Sequence, residues 1–138
     1  MGNPMQLVVD TNVIISALLA KSRTFELIVL GDLDLFVPDY SLQEIENHSE
    51  ELVGRMGVSK EEFSLVLGII LSHVTVVNRQ SYTKFESHAK NICPDPDDFA
   101  FFALALSMKI PLWTNDAKLK KQNEIRIYNT KDLIELLI

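Results

Sequence analysis

Residues 6–20 read QLVVDTNVIISALLA. The opening "QLVV" is a short apolar run of the kind that forms a buried strand, and "NVIISALLA" is apolar on every side of a helix, hence central. One carboxylate, Asp10, stands where the strand stops and the helix begins. Aspartate caps helices well, so a cap is the plain explanation. A residue just past the carboxyl end of a parallel strand also lies where open α/β sheets bind their ligands. The rest of the chain has to decide between the two.

Outward from that stretch, strand-like and helix-like segments alternate. "TFELIVLGD" reads as a second helix stopped at Gly31, and "LDLFVP" as a strand closed by Pro38. Residues 39–56 carry one helical periodicity. Residues 59–74 carry another, opened by Ser59 with Glu62 three positions on, a capping-box pattern. "TVVN" is a short strand and "SYTKFESHAKNI" a polar helix. "PDPDDFAFFALALSM" is a helix acidic at its start, where the helix dipole favours negative charge. "IPLWT" and "IRIYN" are strands around a lysine-rich turn, and "TKDLIELLI" closes the chain as an amphipathic helix. This alternation predicts an α/β fold, a three-layer α/β/α sandwich with a mostly parallel central sheet, in a single domain over residues 1–138.

Composition narrows the function. With 47% hydrophobic and 23% charged residues the 138-residue chain has material for a real core. No apolar stretch approaches the roughly 20 residues of a membrane span, so no membrane role is expected. The start "MGNPMQ" lacks a basic segment leading into an apolar run, so no secretory signal is expected, and Gln6 stands where a myristoylation pattern wants Ser or Thr. The single cysteine, Cys93, cannot make an internal disulfide and fits a cytoplasmic setting. The three histidines form no close pair, which argues against zinc. A net charge of −6 counts against broad, sequence-blind DNA binding.

Four acids fall at or near the same sheet edge. Asp10 follows the first strand, Glu44 lies in the helix after the second, Asp98 starts the acidic helix, and Asp116 follows "PLWT". Carboxylates packed together raise one another's proton affinity, and a divalent cation relieves that repulsion. A donor set of oxygens without histidine or thiolate suits Mg²⁺ or Mn²⁺. Such ions activate water and stabilise the charge that develops on a phosphodiester.

The segments "VVDTNVII", "VPDYSLQEIE", "DPDDFAFFALAL" and "PLWTNDAKLKK", in this order, resemble the PIN domain family across nearly the whole chain. The resemblance implies a metal-dependent endoribonuclease whose products carry 5′-phosphate and 3′-hydroxyl ends. Many small stand-alone members are toxins of the VapC type, so it also implies a possible antitoxin partner and a homodimer. Carried over by position, the catalytic and metal-holding acids are Asp10, Glu44, Asp98 and Asp116. Asn12 matches a residue that orients a ligand or carboxylate. Thr114 matches a small hydroxyl residue that hydrogen-bonds Asp10, and Asp95 resembles an extra acid of some members. Lys118, Lys120 and Lys121 are candidate phosphate contacts, with Lys21 and Arg23 after the first helix.

Each residue has a plainer reading: a cap for Asp10, an exposed helix acid for Glu44, an acidic turn capping a helix for the "DPDD" group, a turn residue for Asp116, and a solvated cluster for the lysines. Asp95 and Asp97 compete with Asp98 for the third site. His48, four residues after Glu44, is expected near the site or on the surface and not as a ligand. The three phenylalanines Phe99, Phe101 and Phe102 and the lone Trp113 are expected in the core. The runner-up function is a catalytically silent PIN module that binds RNA or a protein partner. A phosphotransfer receiver domain also places acids at strand ends, but it wants paired acids after its first strand, and "VVDTNV" has one.

Overall fold

A computed structural model describes residues 3–20 and 23–137. Five parallel strands run β1 (Met5–Val9), β2 (Leu33–Pro38), β3 (Val74–Val77), β4 (Leu112–Trp113) and β5 (Ile127–Tyr128), in the sheet order β3-β2-β1-β4-β5. The chain moves outward from β1 to β3, returns across the sheet, and continues through β4 to β5. Right-handed crossovers then oblige the helices to change face when the direction reverses. They do. The core on one face draws on α1 (Thr11–Ala20), α2 (Arg23–Leu30), α3 (Tyr40–Asn47), α4 (Ser49–Met56), α5 (Lys60–Leu71) and α8 (Thr130–Leu137). The core on the other face draws on α6 (Glu86–Ile92) and α7 (Phe99–Met108).

The stretch that opens the chain shows why the sheet is central. Leu7 and Val9 join the first core and Val8 the second, as the two-residue period of a strand requires. All three are fully buried. Trp113 is buried in the first core, and Phe101 and Phe102 in the second.

Several elements differ from the sequence expectation. The expected mostly parallel sheet is present and is parallel throughout; the differences lie in the elements around it. The single helix expected over residues 39–56 is two, α3 and α4, because the backbone leaves helical geometry at His48 (φ −104°, ψ 9°). Two short 3-10 turns, Arg79–Ser81 and Thr83–Phe85, replace the first part of the polar helix, and α6 starts only at Glu86. The last two strands pair over two residues each. Ser59 caps α5 as its pattern predicts, accepting the Glu62 amide at 3.1 Å.

Gly31 ends α2 where nothing larger fits. A Cβ there would meet the Leu27 carbonyl oxygen at 2.3 Å, and the same oxygen accepts the Gly31 amide at 3.1 Å. Gly31→Ala therefore forces backbone to move and should cost about 1–3 kcal/mol. Gly68, inside α5 with open space around its Cβ position, should gain about 0.5–1 kcal/mol as Ala. Urea unfolding of the two variants checks both signs.

Candidate active site

The carboxyl ends of β1, β2 and β4 meet at the point where the strand order reverses, the usual ligand crevice of such sheets. The Asp10 amide continues the ladder by donating to the Trp113 carbonyl at 3.0 Å, so the acid sits where β1 and β4 part. Its side chain is 2% exposed and doubly held. Oδ1 accepts the Asn12 backbone amide at 3.1 Å, and Oδ2 accepts the Thr114 hydroxyl at 2.7 Å. The first bond is the helix cap of the plain reading; the second is a link across the sheet. The Thr114 oxygen in turn accepts the Asp116 amide at 3.1 Å, so one buried hydroxyl ties the positions of two acids.

Asp95 and Asp116 are each fixed by their own turns. Asp95 Oδ1 accepts the Asp97 amide and opens the 3-10 turn Pro96–Asp98. Asp116 Oδ1 accepts the Lys118 amide and opens the 3-10 turn Ala117–Lys120. Asp98 stands at the start of α7, yet its side chain makes no capping bond. One oxygen each of Asp95, Asp98 and Asp116 lie within 4.8 Å of one another, close enough to share an ion. Glu44, on α3, places Oε1 2.8 Å from the Thr11 hydroxyl, which is also 2.8 Å from the Ser41 hydroxyl. A hydroxyl has one proton, and an ionised carboxylate can only accept it, so Thr11 serves Glu44 while Ser41 supports Thr11 from its other side.

The electrostatics follow from this crowding. Burial pushes Asp98 up to about 7, and the charges of Asp10, Asp95, Asp116 and Glu44 push the same way. Burial also raises Asp10, partly offset by its bonds to Thr114 and Asn12, and the charges of Asp116 and Asp95 add to the rise. Glu44 is raised by burial and by Asp10, against the lowering effect of Thr11. The acids therefore sense one another as a single cluster. Hard oxygen donors that repel each other in this way fit a divalent cation of the Mg²⁺ or Mn²⁺ kind.

The sequence of residues 8–130 matches the family model described as PIN domain. The chain belongs to the PIN domain family.

Solved structures agree on the fold. This PIN domain is similar to a chain of DNA-bound VapBC from Salmonella typhimurium, with a TM-score of 0.72 at 18% identity over 91% of this chain and 98% of that one. It is similar to a chain of VapBC2 from Rickettsia felis bound to a DNA fragment from its promoter, with a TM-score of 0.67 at 17% identity and the same 91% and 98% coverage. It is also similar to PAE2754 from Pyrobaculum aerophilum, with a TM-score of 0.64 at 20% identity over 96% of this chain and 89% of that one. No curated protein sequence matches significantly.

The remaining residues singled out from the sequence of this PIN domain fall as follows. Asn12 has an exposed side chain, and its backbone amide is what holds Asp10. Lys118, Lys120 and Lys121 are exposed around the turn that Asp116 opens, and Lys120 pairs with Asp132 at 3.2 Å. Arg23 lines a depression between α2 and α8. Lys21 lies outside the described residues. His48 is exposed and faces Glu51 at 3.6 Å. Thr11 and Ser41 were not foreseen. Both are buried and polar, and the only hint in sequence is a short hydroxyl residue one or two positions after the acid that precedes each helix.

Proposed function

We propose that this PIN domain is a metal-dependent endoribonuclease, and that it acts as the toxin of a toxin–antitoxin pair. The observation that carries the nuclease reading is the triad of oxygens from Asp95, Asp98 and Asp116 within 4.8 Å, set beside buried Asp10 at the switch point of the sheet. Asp95, Asp98 and Asp116 would hold Mg²⁺ or Mn²⁺, with Asp10 and Glu44 adding negative charge around them. When bound, the ion supplies Lewis acidity to a phosphodiester and makes water acidic enough to act as a nucleophile.

The chain's own residues supply the rest. Thr114 fixes Asp10 and the Asp116 backbone in one register. Thr11 holds Glu44 at a set distance. Glu44, with its raised proton affinity, suits receiving a proton from the attacking water. The exposed Lys118 and Lys121, beside the turn that Asp116 opens, would meet phosphates of the RNA outside the acidic pocket.

Support for the toxin reading is the likeness to chains of VapBC assemblies, and the partner we infer is an antitoxin protein. We place the protein in the cytoplasm, where RNA and a reduced Cys93 are both expected; no helix among the described residues is long and apolar enough to cross a membrane. A homodimer belongs to the same proposal. Leu65 and Ile69, one helical turn apart on α5, are 68% and 46% exposed, an apolar pair that a second copy would cover. Light scattering should give twice the chain mass at micromolar concentration, and a monomer mass would reject the dimer.

Incubation with mixed structured and unstructured RNAs, with Mn²⁺ or with EDTA, tests the nuclease. Cleavage with Mn²⁺ and none with EDTA is expected. No cleavage in either condition would favour the silent binding module. Thr114→Val is a sharper probe. It keeps the buried shape, removes the bond to Asp10, and should lower the cleavage rate about 10–100-fold. A rate within twofold of wild type, with the fold intact by circular dichroism, would deny Thr114 its positioning role.

A further inference from the structure

Beside the acids, the same edge of the sheet carries a groove of about 480 Å³. Tyr40 and Asp97 stand on its walls, each next to a member of the acidic site: Tyr40 one helical turn before Glu44, Asp97 adjacent to Asp98. Burial raises the proton affinity of the Tyr40 phenol, and the charges of Glu44, Asp97 and Asp98 push the same way, so groove and acids share one field. We propose that this groove is a base subsite for RNA and that it selects guanine through the Asp97 carboxylate. The proposal rests on the nuclease reading above and adds the specificity that reading leaves open.

Charge excludes the simplest occupant. The groove holds Asp39, Glu86 and Asp97 against Arg79, and Arg79 is committed to Glu86 at 3.0 Å. With its Arg79 already paired and three acids around it, the groove repels a phosphate. A flat, neutral group that donates hydrogen bonds fits, and a nucleobase is such a group. The aromatic wall is ready for it. Tyr40 is 42% exposed, and its ring is held against Phe101 in an edge-on contact with centroids 6.4 Å apart. A ring already fixed loses little freedom when a base stacks on it, and stacking on aromatic side chains is how unpaired RNA bases are gripped.

Hydrogen-bonding capacity then selects the base. Asp39 has both oxygens taken, one by the Tyr82 hydroxyl at 2.8 Å and the other by the Arg79 amide at 3.1 Å. Glu86 Oε1 accepts from Arg79 and from the Thr83 hydroxyl. Among the described residues, nothing donates to the Asp97 carboxylate, and the residue is exposed. An ionised carboxylate offers two parallel acceptors and no donor. The pairing edge of guanine offers N1–H and N2–H side by side, the complementary pattern. Adenine and cytosine each place an acceptor beside their donor, and uracil sets its one donor between two acceptors. Each of these three would face the carboxylate with a like partner.

The test is binding in EDTA at low salt, read by fluorescence anisotropy, with labelled hexanucleotide uridine tracts carrying one guanosine, inosine or adenosine. Wild type should bind the guanosine tract about tenfold more tightly than the adenosine tract, the discrimination of one good bidentate contact. Inosine, which keeps N1–H but lacks the 2-amino group, should fall between. In Asp97→Asn the guanosine-to-adenosine ratio should collapse to within twofold. Tyr40→Ala should weaken all three alike. A ratio unchanged by Asp97→Asn overturns the subsite. So does Asp97-dependent binding of an arginine-rich peptide combined with a flat RNA ratio, which would give the groove to a protein ligand. Cleavage with Mn²⁺ is scored separately. Its absence would remove the nuclease reading while leaving the ratio in EDTA standing, and an unchanged ratio with brisk cleavage would do the reverse.

Discussion

Asp98→Asn protein should cleave RNA at less than about a hundredth of the wild-type rate, the usual scale for removing one group that stabilises developing charge. EDTA should bring wild type to the same floor. Asp98 is the right residue to remove because it has no other visible task. Asp10, Asp95 and Asp116 each accept a backbone amide as well as facing the cluster, so replacing them perturbs a turn or cap too. Asp98 makes no capping bond, and its carboxyl is pushed up to about 7 by burial and by its acidic neighbours. An asparagine there keeps size and shape and loses the charge that a cation needs. Circular dichroism should show an unchanged fold. A variant that cleaves normally, or wild-type cleavage that survives EDTA, would end the metal-dependent assignment.

The same crowding should appear as stability. A metal that binds the folded cluster and not the unfolded chain stabilises the fold, so free Mn²⁺ at a hundredfold excess over its dissociation constant should add about 2.7 kcal/mol. Without metal the pH dependence has a definite sign. Asp98 binds its proton more tightly folded, near 7, than at the ordinary value of 3.8. Between those values the folded state holds more protons than the unfolded one, so stability falls as pH rises, and the full penalty stands above about 7. Asp10 and Glu44 are raised as well and slope the same way. Metal-free wild type should therefore melt higher at pH 5.5 than at pH 8, and Asp98→Asn should flatten that difference. At pH 8 in EDTA the variant should melt at or above wild type, and it should gain less from Mn²⁺. A variant that melts clearly lower without metal would make Asp98 a structural residue and leave Asp95 and Asp116 as the acids that hold the ion.

The parts of this molecule that could be read from sequence are those written in periodicity and in strand ends. The opening stretch predicts a buried strand, a central helix and an acid between them, and β1, α1 and Asp10 stand in those places. The order of the acids was legible because three of them adjoin apolar runs. Which acids approach one another was not. Asp95 reaches Asp98 and Asp116 through a 3-10 turn over Pro96–Asp98, and an acidic tetrapeptide before a helix does not specify whether it continues as α-helix or tightens. The link from Thr11 to Glu44 and Ser41 was hidden for a related reason: short hydroxyl residues in buried places leave no periodic mark. The break at His48 was missed because no glycine or proline announces it, and apolar spacing runs on across it. The apolar run "IPLWT" promised a longer β4 than its two residues. Pro111 has no amide to give a ladder, although its carbonyl still accepts the Val8 amide at 2.9 Å.

The hydroxyl that steadies Asp10 belongs to a residue 104 positions further along the chain. β1, α1 and β2 can associate early during synthesis, but β4 must still emerge and slot in beside β1 before Thr114 can reach the acid. Asp95, Asp98 and Asp116 also lie in the last third of the sequence. A growing polypeptide thus carries Asp10 and Glu44 before it has either the triad or the steadying hydroxyl. If the protein degrades RNA, the machine that makes it is itself built largely of the substrate. Joining residues so far apart in sequence defers competence until the segment through Asp116 has been made, a safeguard arising from strand order alone.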